Sequence, residues 1–250
     1  MATAPLSHER VLDELEFLAK VEHALVVECL SVCCALGHDL DAGEGGATTK
    51  HGRDAADAAS ALAQNEMFHL KEINLALLAA GRAALLERVP SISSASVATT
   101  PLGPPSFAEL QQLPAREQAI ASAVDERYTQ LRPAVTSDPV FDGELLSQLR
   151  SVIVDHGPTH TAAFATILDP LTGLTPTAFL RATRREAADS FEGRLLEVSD
   201  RSYGLILKAL AEQFAQAAAF SDLAVSAMEG LDEINRALVQ RGLLPPFTSP

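Results

Sequence analysis

Five side chains pose the chemical question in this sequence: Glu22, Glu66, His69, His156 and His160. At about 100° of helical rotation per residue, each falls inside an apolar stripe. Glu22 sits in the middle of the stripe formed by Leu15, Leu18, Leu25, Cys29, Val32 and Cys33, with Glu28 at its edge. Glu66 and His69 lie one turn apart at the centre of Ala55, Ala59, Leu62, Ile73, Ala76 and Leu77. His156 and His160 lie within Leu145, Leu149, Val152, Ile153, Ala163, Phe164 and Ile167, whereas Asp155 points away. An unpaired charge buried among such residues costs several kcal/mol. Several helices doing this at similar depth imply a cation between them. Carboxylate and imidazole together suit iron or manganese, with zinc as a further option. The bland readings are a salt-bridged Glu22, a chance Glu-x-x-His, and two core histidines beside the Gly157-Pro158 turn.

The elements that would carry these residues are helices. The first is expected from about Ser7, a plausible N-cap, to about His38, with Gly37 as its stop. The polar, glycine-rich Asp41–Thr49 stretch reads as a loop, and a second helix covers about Arg53–Ala80, ended by Gly81. The Ser/Thr/Pro/Gly segment from Pro90 to Ser106 cannot be a regular helix and is expected to run over the surface. A third helix starts near Pro114 and closes before Pro133; a fourth covers about Asp142–Leu168, interrupted at Gly157-Pro158. After the Pro170–Pro176 turn, helical patterns resume over Thr177–Glu186, Phe191–Phe220 and Ser221–Arg241. No segment makes a convincing strand, so the class expected is all-α. One domain is expected over residues 1–250, with a core bundle at about 7–168 and additional C-terminal helices at about 177–242.

Composition agrees with this picture and narrows the partners. Hydrophobic residues make up 47% and aromatic residues 5% of the 250, with no Trp, which favours helices over strands. A net charge of −14 would repel nucleic acid and anionic membrane surfaces. Cys29, Cys33 and Cys34 are odd in number and share one helix, so they form no disulfide framework; a reducing cytoplasmic setting and plain packing are expected. A sulfur metal or redox site is the alternative. Residues 1–10 lack a basic start and apolar run, and charged residues interrupt the long apolar stretches, so neither a signal peptide nor a membrane span is expected.

A Glu on one helix followed by Glu-x-x-His on the next is half of a ferritin-type two-metal pattern. The third helix leaves its acid open. Its apolar face is Leu110, Leu113, Ile120, Val124 and Tyr128; Glu117 is best centred, Asp125 is marginal and Glu126 faces away if the helix is straight.

Longer stretches resemble a known family. FLAKVEHALVVECL (17–30) is similar to the Glu-His-Ala opening of the ferritin-like domain in iminophenylpyruvate dimer synthases, the chromopyrrolate-type enzymes of indolocarbazole and violacein pathways. NEMFHLKEINLALLAAG (65–81) resembles that family's Glu-Met-x-His, Asn and Leu-rich run ending in Gly. REQAIASAVDE (116–126), IVDHG (153–157), YGLILKALAEQF (203–214) and the Met228–Leu238 helix resemble later parts more loosely.

The resemblance implies a ferritin-like four-helix bundle holding two iron ions. Its ligands would be Glu22, Glu66, His69, His160 and a third-helix acid, Asp125 or Glu126. Asp155 replaces the family's Glu, which leaves His156 as a ligand or the support of one. It also implies a non-haem oxidase or oxygenase using oxygen or peroxide on a small organic intermediate of specialised metabolism; a homodimer is compatible with it. His23, expected on an exposed neighbouring face, would support a ligand or be structural, and Glu28 would orient a ligand histidine. The alternatives are a non-catalytic helical binding or accessory protein and an iron-oxidising ferritin-like protein.

Overall fold

The computed structural model describes residues 6–37, 46–88, 91–94, 97–101, 126–127, 129–137, 139–141, 147, 149, 162, 165–166, 188–215 and 222–247. Their order is α1 (His8–Gly37), α2 (Gly46–Ala79), β1 (Ser91–Ser94), β2 (Val97–Pro101), α3 (129–137), α4 (Phe191–Ala215) and α5 (Asp222–Val239).

Helices α1 and α2 are antiparallel. Arg82, just past α2, reaches Glu9 at 2.7 Å, whereas Gly52 near the other end lies against Leu36. The seam between them changes along its length. Near Gly52 it is built from small residues, with Ala55, Ala56, Ala59 and Ala63 packed on Cys29, Val32 and Leu36. Towards the other end it is built from large ones: Leu12, Leu15 and Leu18 against Ile73 and Leu77. A Cβ at Gly52 would lie 3.7 Å from the Leu36 carbonyl oxygen, an ordinary contact, so the glycine is tolerated here and not required.

The ends carry local signals. The Arg10 amide meets Ser7 Oγ at 3.4 Å at the start of α1, and the Gly193 amide meets Ser190 Oγ at 2.9 Å at the start of α4. Gly81 adopts φ 79° after α2; its amide bonds Leu78 O and the next amide bonds Leu77 O, both at 2.9 Å. Gly242, at φ 74°, closes α5 with the same pair of bonds. Both are Schellman ends, which a left-handed glycine makes without steric cost.

Four expectations change. Helix α2 begins at Gly46, inside the stretch read as a loop. The α3 helix runs through Pro133 to Ser137 and does not close before it. Leu131, Ala134 and Val135 form a buried i, i+3, i+4 face that holds the helix across the proline. The Pro90–Ser106 segment contains the β1–β2 hairpin, antiparallel, with Ile92 opposite Thr100 and a bulge before Ser94. The fourth concerns α1, whose residues 21–29 are all buried, without the single apolar face expected. Helices α4 and α5 cover its far side, where Val27 packs with Tyr203, Ile206, Leu231 and Phe247. His23, expected to be exposed, is therefore buried at 2%.

Helices α4 and α5 are themselves antiparallel. Ser199 Oγ donates to Asn235 Oδ1 at 2.7 Å, and Arg241 lies over the Phe191 ring at 5.1 Å. Among the described residues, no helix is long and apolar enough to cross a membrane.

Candidate metal centre

Glu22 from α1 and Glu66 and His69 from α2 converge between the two helices. The Glu66–His69 spacing of three stacks both side chains on one face of α2, and the antiparallel crossing brings Glu22 opposite them. His69 Nδ1 lies 3.5 Å from Glu22 Oε2 and 3.4 Å from Glu66 Oε2. None of the three is more than 1% exposed. One ligand atom from each lies within 4.8 Å of the other two. Donors bound at about 2.1 Å to one ion lie about 3–4 Å apart, so the two measured separations fit a shared metal. Two carboxylate oxygens and an imidazole nitrogen are a donor set for iron, manganese or zinc.

The cluster holds protons when it holds no metal. Burial opposes a charge on His69, but hydrogen bonding and attraction from Glu22 and Glu66 outweigh it and lift the imidazole to about 10. Glu66 is pushed well above the ordinary carboxylate range, first by burial; the His69 hydrogen bond opposes this and the Glu22 charge adds to it. The two shifts together favour a charged His69 beside a neutral Glu66.

A second buried polar group begins one residue along α1. His23 Nδ1 lies 2.8 Å from the Glu87 carbonyl oxygen, so it carries the proton and donates; Nε2 then accepts from the Tyr203 hydroxyl, also at 2.8 Å. Burial lowers His23, and this neutral tautomer satisfies both its nitrogens. Arg88 lies 4.8 Å over the Tyr203 ring and pairs with Asp200. The segment after Gly81 is held in place by Asn74, which is fully buried. Its Nδ2 donates to Leu70 O at 2.8 Å and Leu85 O at 3.3 Å, while its Oδ1 accepts the Leu85 amide. That clamp sets Glu87 and Arg88 against α1 and α4.

The other candidates fall differently. Glu126 is exposed, accepts from Gln130 Nε2 at 3.3 Å, and does not join the cluster, in agreement with its helical phase and not with the placement drawn from the family resemblance. Its neighbour Arg127 instead reaches Glu14 and lies 4.1 Å over the Phe17 ring. Glu117, Asp125, Asp155, His156 and His160 lie outside the described residues. Glu28 is buried at 1%.

Sequence reasoning passed over Glu72, which is fully buried. Lys71 Nζ contacts its Oε1 at 3.1 Å, and its Oε2 has no hydrogen-bond partner among the described residues. The available signal was the spacing itself, since Glu66, His69 and Glu72 repeat every three residues.

The sequence matches no family model and no curated protein. Among solved structures, the chain is similar to a ferritin-like protein from Caulobacter vibrioides, with a TM-score of 0.69 over 98% of this chain and 99% of that one, at 13% identity. The architecture is therefore that of a ferritin-like helical bundle, and at that identity the likeness speaks for the fold alone. Metal binding is what the buried Glu–Glu–His cluster in that fold suggests.

Proposed function

We propose that the chain is a ferritin-like non-haem metalloprotein, with iron as the first candidate, that oxidises a small organic molecule. The observation that carries this reading is the Glu22–Glu66–His69 cluster, with its 3.4 and 3.5 Å donor separations in a fully buried setting. A purely structural role gives little reason to bury two carboxylates and a histidine against one another.

When bound, iron would supply Lewis acidity and redox chemistry with oxygen or peroxide. The chain's own part is to hold three donors in place, give up the protons they carry, and keep bulk water away by burying all three between α1 and α2. The family resemblance adds a small organic intermediate as substrate and a second ion with ligands from Asp125 and His160, with His156, placed by its helical stripe, as a further ligand or the support of one. These remain proposals about residues beyond the described ones, and the count of bound ions decides between one ion and two.

Protein purified without chelator is expected to contain iron, manganese or zinc by elemental analysis, and His69→Ala to lack it. Metal-free wild-type protein that takes up none of the three ions on titration would overturn the reading in favour of a helical binding protein. Oxygen consumption by the reduced protein with no organic compound present would instead point to iron oxidation as the activity.

A further inference from the structure

The cluster uses only one flank of the α1–α2 pair. His23, Met67 and Leu70 each sit one residue beyond Glu22, Glu66 and His69, and hence about 100° further round their helices. They face a separate space. It is a cavity of ≈ 220 Å³ between α1, α2, α4 and α5, partly open and lined largely by apolar side chains. Well-packed interiors leave few voids larger than a water molecule. An apolar cavity of about 150 Å³ in another protein stays dry and accepts benzene. By proportion, this one accommodates about nine or ten non-hydrogen atoms.

Its walls select the chemistry of the occupant. Cys33, Cys34, Met67 and Met228 bring four sulfur atoms to the lining, and Phe247 and Tyr203 bring rings. Thioethers pack favourably on aromatic edges and adapt to flat shapes. The Tyr203 hydroxyl spends its hydrogen on His23, which leaves its oxygen as an acceptor for an O–H or N–H of the occupant. Asp232 also lines the cavity, and among the described residues no Lys or Arg does. Burial followed by the Asp232 charge pushes the Cys33 thiol up to about 11, a sign that negative charge is unwelcome there.

We propose that this cavity binds a small, neutral aromatic molecule carrying one hydrogen-bond donor, at a site distinct from the Glu22–Glu66–His69 cluster. It requires no metal, so its success or failure is independent of the metal reading.

The chain supplies its own reporter, having no Trp and two Tyr. Tyr128→Phe leaves Tyr203, in the cavity wall, as the only tyrosine. 3-Nitrophenol, neutral in mildly acidic buffer and within the capacity of the cavity, is the probe, and salicylate, with the same count of non-hydrogen atoms, is its anionic counterpart. 3-Nitrophenol titrated into the otherwise full-length Tyr128→Phe protein is expected to quench tyrosine emission saturably at one equivalent. Salicylate is expected to bind on the order of tenfold more weakly or worse. Ser60→Phe and Leu207→Phe, made separately in the same background, fill the cavity from α2 and α4. Each is expected to weaken 3-nitrophenol binding on the order of tenfold or more while keeping the helical circular dichroism. Quenching that never saturates, equal binding of salicylate, or undiminished binding in a folded filled variant would overturn the proposal. If one variant does not fold, the other and the salicylate comparison still decide.

Discussion

Residues 22 and 23 of α1 are neighbours in the chain, both buried, yet they meet burial in opposite ways. Glu22 joins ionisable groups that face one another, and His69 in that group is lifted to about 10. His23 joins a carbonyl and a phenol, each nitrogen satisfied by a hydrogen bond, and its affinity for protons falls. The second arrangement is complete as a neutral network. The first is balanced only while it holds extra protons, which is what a metal site offers to a divalent ion. In this molecule the two buried histidines thus shift in opposite directions, His69 with its carboxylate neighbours and His23 with its neutral ones.

The largest effect expected on this contrast comes from His69→Ala. It removes the imidazolium that faces Glu22 and Glu66, so metal uptake is lost and the metal-free protein loses about 3–5 kcal/mol in urea unfolding. A loss below about 1 kcal/mol would mean that the carboxylates do not depend on the histidine.

Next in size, the two histidines give stability opposite pH windows. His69 is raised above its ordinary 6.5 to about 10, so its contribution is complete below 6.5 and is lost as pH climbs towards 10. His23 is lowered, so its contribution is present above 6.5 and is lost as pH falls through its folded value. Urea midpoints of metal-free wild type across that range, set against His23→Ala and His69→Ala, test both directions. Loss of the alkaline limb in His69→Ala but not in His23→Ala is the expected pattern.

Tyr203→Phe removes the donor to His23 Nε2 and is expected to cost about 1–3 kcal/mol without changing metal content. A fall in metal content would show that the two regions are coupled. The smallest stability change is expected from Glu66→Gln. Glu66 already favours its neutral form, so the metal-free protein should change by about 1 kcal/mol or less while metal binding fails. In wild type, loading is expected to release about two protons per divalent ion, from His69 and Glu66, measured by calorimetry in buffers of different ionisation enthalpy.

Much of this was legible in the sequence because helical phase is a local property. The stripe positions of Glu22, Glu66 and His69 located residues that the fold brings together, and Glu126 was correctly seen to face away if its helix ran straight. Gly81 and Ser7 marked their helix ends. What was not legible came from distant partners. The burial of His23 depends on α4, 180 residues away, through its bond to Tyr203. The passage of α3 through Pro133 is tertiary packing overriding local propensity. Glu72 was passed over because its phase, 60° from His69, placed it at the side of the stripe, although it continues the three-residue spacing of Glu66 and His69 into the buried interior.

The nine consecutive buried residues of α1 also bear on biosynthesis. During translation, α1 leaves the ribosome long before α4 and α5 exist to cover its far side. Until then Val26, Val27 and Leu30 present an uncovered apolar surface on a finished helix, the kind of surface that draws chaperones or neighbouring nascent chains. Expression yield should therefore respond more sharply to mutations that delay or weaken the α4–α5 pair than to changes elsewhere on the surface, even where the final fold is equally stable.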